Sequence, residues 1–148
     1  MNLDLLQQIN LILAGASVCL TWLVQILIYP NFLLLKEIHF KEYHTFHSLR
    51  ITWIAAPIML GELFVTSFAL WMQFDLVNLF DFLLVAFVWI VTFFWAVPAH
   101  ERLGSLVTLE TYRSLYKAHS IRTAFWTARL CLIFFKLNGK YGGSDPNF

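Results

Sequence analysis

Histidine supplies most of the chemistry this chain could perform, with five in the sequence. His44 and His47 stand one helical turn apart, the spacing at which one helix offers two imidazoles from one side, and neutral imidazole binds zinc, copper, iron or haem iron. His100 and His119 close and open later apolar runs on the same side. These four are the candidate metal- or cofactor-binding ligands, and a transition metal or haem is the candidate cofactor. His39 falls off the stripe of His44 and reads as a bystander. Histidines at a membrane surface also serve as plain interfacial polar residues, and that reading stands beside the ligand one.

Three charged residues lie inside apolar runs. On a continuous helix Glu62 falls on the stripe of His44, about five turns further at 3.6 residues per turn. His119, Arg122, Trp126 and Arg129 recur at steps of three and four, which makes one stripe that must face inward if lipid surrounds the segment. Arg129 lies roughly 15 Å beyond His119 and Glu62 roughly 18 Å beyond Arg50, so the two charges reach a similar depth. Each is costly alone in hydrocarbon, and an intramembrane Glu62–Arg129 pair is expected. In a catalytic reading Glu62 handles a proton, and Arg122 and Arg129 clamp an anion or carboxylate. The pair serves equally well as architecture that fixes helix register.

The elements that must position these residues are membrane helices. The chain is 59% hydrophobic, 18% aromatic and only 13% charged, against roughly 25% charged in an ordinary soluble domain. Its net charge of +1 is spread along the sequence, which sets nucleic-acid binding aside. The fold class is all-α: one transmembrane domain over residues 1–148, a four-helix bundle with spans at about 11–35, 51–72, 79–97 and 120–137. Residues 103–119 pattern as a short amphipathic helix lying in the interface between spans three and four. The tail from 138 onward, rich in Gly, reads as irregular. Cys19 and Cys131 form no motif and read as small core residues. The N-terminus has no basic start or small-residue cleavage site, so the first apolar run is expected to stay in the mature protein.

Lys36, Lys41, Arg50, Arg102, Arg113 and Lys117 occupy the first and third connections, and the second has no Lys or Arg. The excess of positive charge predicts that these connections are cytoplasmic. The chain is then multi-pass in the inner (plasma) membrane, with both termini non-cytoplasmic and the histidine cluster at the cytoplasmic face.

Ile28-Tyr29-Pro30 ending span one, Tyr43-His44 and His47 before span two, Pro98-Ala99-His100 closing span three, and Ile121-Arg122-Thr123 with Trp126-Thr127 opening span four form a pattern. It resembles small four-span bacterial membrane proteins of the anthrone-oxygenase-like group over most of the chain. The resemblance implies a four-helix bundle, oxygen-dependent oxidation of an aromatic or lipid-soluble substrate, and histidines at the site. The expectation is a metal- or haem-binding membrane oxidoreductase. The alternative is a non-catalytic subunit of a larger membrane complex that binds neighbouring helices, pigments or lipids. Expected partners are the lipid bilayer and other membrane subunits or a second copy of the chain; nucleic acid is not among them.

Overall fold

A computed structural model describes residues 3–35 and 37–142, all of whose regular structure is helical. Four long helices are present: α1 (Leu3–Phe32), α2 (Glu37–Met72), α3 (Leu76–Ser105) and α4 (Leu109–Gly142). Each packs against its neighbours in sequence, and α1 closes the ring against α4. The short connections make neighbouring helices antiparallel. At 1.5 Å per residue the helices are about 45–54 Å long, more than the roughly 30 Å hydrocarbon core needs. α1, α2 and α3 are long and apolar enough to cross a bilayer.

The distribution of side chains is that of a bundle dissolved in lipid. Arg129 is 0% exposed, whereas Phe94 is 82% exposed. Leu6, Asn10, Ala14, Ser17 and Thr21 form the inward stripe of α1, mostly small residues that let helix backbones approach. Gly61 on α2 belongs to the same contact. A methyl group there would stand 3.3 Å from Leu13 Cδ1, so glycine lets α1 come close.

The helix ends have local causes. Asp75 caps α3 by accepting from the Asn78 amide at 2.7 Å. Thr108 and Thr111 exchange hydroxyl and amide bonds at 3.1 and 3.2 Å and cap α4 in the same way. This cap corrects one expectation. There is no separate interfacial helix between spans three and four: Ser105 ends α3, and after a break at 106–108 the helix from Leu109 runs without interruption to Gly142. No Gly or Pro interrupts 109–138, so the amphipathic turns simply begin a longer helix. Asn138 to Gly142 are helical too, where irregular chain was expected. Cys19 and Cys131 are exposed on the outer face rather than in the core. Lys36 and residues 143–148, which entered the charge count and the tail, lie outside the described residues.

α1 and α3 share an interruption. In each, one π-turn interrupts the α-helix, Val24–Ile28 in α1 and Thr92–Ala96 in α3. The Tyr29 amide reaches back five residues to Val24 O, and the Val97 amide likewise reaches Thr92 O. Both π-turns stand immediately before a proline, Pro30 or Pro98. Proline has no N–H and its ring collides with the carbonyl four residues back; the widened turn moves that carbonyl aside. Along the π-turn of α3 the helix parts from α2, with which it packs both before and after.

Candidate functional site

The parting of α2 and α3 leaves a cavity of about 280 Å3. Apolar and small residues wall it on these two helices, among them Ala55, Ala56, Met59 and Phe93. Polar groups gather along its inner side: Tyr29 from α1, His47 from α2, His100 from α3, His119 and Arg122 from α4. The five come from all four helices, and the two π-turns set the rotation of Tyr29 and His100.

Two of these polar groups, Tyr29 and His100, and their neighbour His44 make a connected row. Tyr29 Oη lies 3.3 Å from His100 Nε2, and His100 Nδ1 lies 3.1 Å from His44 Nε2. His44 stacks on Phe40 at 5.6 Å between ring centroids and sits about two turns into α2, near the end of the bundle. A Cβ on Gly104 would stand 3.3 Å from His44 Nδ1, so glycine there makes room for the ring. With Tyr29 donating to His100, the His100 Nδ1–H donates to His44; in the opposite tautomer set every donor becomes an acceptor. The row can therefore pass a proton from the cavity to the end of the bundle without displacing a heavy atom.

His119 stands apart from the row. Its Nε2 lies 3.0 Å from the Thr21 carbonyl, which can only accept, so this nitrogen carries the hydrogen. Its Nδ1 is buried with no hydrogen-bond partner among the described residues. The Tyr29 ring packs edge-on against it at 4.7 Å. His47 packs edge-on against Phe32 at 5.7 Å, and His39 is exposed away from the cavity.

Deeper in the bundle lies a second polar cluster. Arg129 Nη1 donates to Glu62 Oε1 at 2.5 Å, its Nε to Asp81 Oδ1 at 2.7 Å, and its Nη2 to Asn10 Oδ1. Asn10 Nδ2 also donates to Asp81 Oδ2 at 2.6 Å, and Trp126 Nε1 to Glu62 Oε2 at 2.9 Å. Glu62 and Arg129 thus meet as the depth argument expects, but as two members of a five-residue network. Trp126 joins the two regions, because its other contact is the Arg122 guanidinium, 4.9 Å above its ring.

The expected site residues therefore divide. His44, His47, His100, His119 and Arg122 lie in or beside one cavity, and Glu62 and Arg129 lie in the network below it. The four histidines do not form one ligand set: His44 and His100 bond each other, and His119 bonds a carbonyl. Among the described residues no group of three or more His, Cys, Asp or Glu is placed to hold a metal ion. Sequence reasoning took Tyr29 only as part of the Ile28-Tyr29-Pro30 motif that ends span one, and it missed Asp81 and Asn10. Asn10 follows Gln7 and Gln8, and Asp81 follows Asn78, so both read as the polar edge of an apolar run.

Comparison with protein families, with curated proteins and with solved structures finds no match for this chain.

Proposed function

We propose that the protein is a small four-span membrane enzyme that takes a lipid-soluble molecule from the bilayer through the slot between α2 and α3 and exchanges a proton with its polar end. The observation that carries this reading is the cavity itself: apolar walls open toward lipid, with the Tyr29–His100–His44 row leading from it to the end of the bundle. Ligand sites are commonly concave and mostly apolar with a few convergent polar groups. α4 is the fourth span in this reading, because its interior charges Arg122 and Arg129 turn toward the bundle while Phe134 and Phe135 face outward. The excess of Lys and Arg puts the histidine end on the cytoplasmic side of the inner membrane, with both termini opposite.

Proton exchange is what an oxidoreductase of hydrophobic compounds needs, and the Tyr–His row supports that part of the oxidoreductase reading. A metal or haem finds no complete ligand set among the described residues, so no step is routed through one.

The test is to extract and identify lipid-soluble molecules that co-purify with the full chain, beside an Ala56→Phe variant that fills the cavity. About one enriched molecule per wild-type chain, lost in the variant while thermal stability holds, supports the reading. No enrichment over bulk lipid sinks it. Elemental analysis and an absorption spectrum on the same preparation add a second decision: about one metal or haem per chain that disappears with His44→Ala/His47→Ala would replace the proton row with a ligand site.

A further inference from the structure

The cavity contains a cation that no carboxylate among the described residues pairs with. Arg122 lines it, yet the ion pairs among the described residues are those of Arg129 with Glu62 and Asp81 and of Lys136 with Asp75. Its guanidinium touches Met59 Sδ at 3.8 Å and lies over the Trp126 ring, and its Nε is buried with no hydrogen-bond partner. A guanidinium carries five N–H donors in a planar fork, and a thioether satisfies one of them weakly. A half-buried cation with a buried, unpartnered donor is costly unless a ligand completes it.

We propose that Arg122 is the anion subsite of the cavity and that its occupant is a single-chain amphiphile with a carboxyl head, drawn from the bilayer. This rests on the cavity reading given above. The guanidinium fork matches the two oxygens of a carboxyl group. One guanidinium balances one negative charge, which suits a carboxylate better than a doubly charged phosphate monoester. The cavity, at about 280 Å3, lies just below the roughly 300–1,000 Å3 range of small-molecule sites. It has room for one chain and not two, and the slot lets the rest of that chain remain in hydrocarbon. His119 fits the same head. Because Nε2 carries the hydrogen donated to Thr21, Nδ1 of the neutral ring is an acceptor, and an acid that enters uncharged from lipid brings an O–H to donate to it.

The experiment is photolabelling of the full chain in phosphatidylcholine nanodiscs with a diazirine-bearing dodecanoic acid, competed by dodecanoic acid, methyl dodecanoate or dodecyl phosphate. The expected result is saturable labelling of the cavity walls on α2 and α3, with the acid competing about tenfold or more better than its methyl ester. Arg122→Gln should abolish that preference and keep the labelling driven by the apolar body. Arg122→Lys, which keeps the charge, should retain part of the preference, and thermal stability of both variants guards against loss of fold. Equal competition by acid and ester, a preference that survives Arg122→Gln, or better competition by dodecyl phosphate overturns the carboxyl assignment while the cavity reading stands. Absence of saturable labelling in the cavity overturns both.

Discussion

Arg122 and Arg129 stand two turns apart on the same face of the same helix, and their surroundings are opposite. Arg129 is fully enclosed, and two carboxylates and an amide take its donors. Arg122 faces a cavity with a thioether and an aromatic ring for company. A desolvated charge that the chain itself completes holds the fold; one that the chain leaves incomplete is placed for something that arrives from outside. Trp126, touching both, separates a closed polar cluster from an open one.

Removing the guanidinium should be severe at one position and mild at the other. Arg129→Met strands two buried carboxylates and should cost about 3–5 kcal/mol of unfolding free energy. Arg122→Gln, which breaks no ion pair, should cost under about 1 kcal/mol. Unfolding by SDS in lipid–detergent bicelles measures both, and equal losses would erase the distinction.

Within the closed cluster the two carboxylates should differ. It holds one positive group and two acidic ones, so Asp81→Asn leaves Arg129 paired with Glu62 and keeps a polar partner for Asn10. The expected loss is about 1 kcal/mol, the size of an ordinary hydrogen bond. Glu62→Ala, which unpairs Arg129 Nη1 and Trp126 Nε1 together, should cost about 3 kcal/mol by the same assay. The reverse order would mean that Asp81 is the principal counter-charge.

The open region should show effects on geometry with little effect on stability. In Gly104→Ala the new methyl group meets His44 Nδ1 at 3.3 Å, and the ring must give by a few tenths of an ångström. We expect a weakened His44–His100 bond, seen as a changed imidazole nitrogen shift by NMR, with stability altered by no more than about 0.5 kcal/mol. An unchanged shift would show that the row tolerates displacement and is not a tuned path.

Much of the closed cluster was legible in the sequence, because a charge in an apolar run has few affordable solutions. Glu62 and Arg129 announced themselves and each other's depth. Asp81 and Asn10 did not, because they fall where a span begins, and an end residue reads as interface until the helix is seen to continue past it. The histidines were legible as a group at one face. Their division into a bonded row and a separate His119 was not, since it depends on ring orientation and on which carbonyl is within reach. The cavity was least legible of all. It follows from a π-turn, and hydrophobic periodicity does not register one extra residue in a helix.

Those π-turns also bear on how the chain can change in length. Each turn carries one residue more than regular winding needs, so loss of a single residue there, such as Phe94, would restore the α-helix and leave the facing of everything beyond it nearly unchanged. His100 would still face Tyr29, but Pro98 would collide with the turn before it. A single-residue deletion in either stretch is thus felt at the proline that follows it, Pro30 or Pro98, and not in the facing of the histidine row.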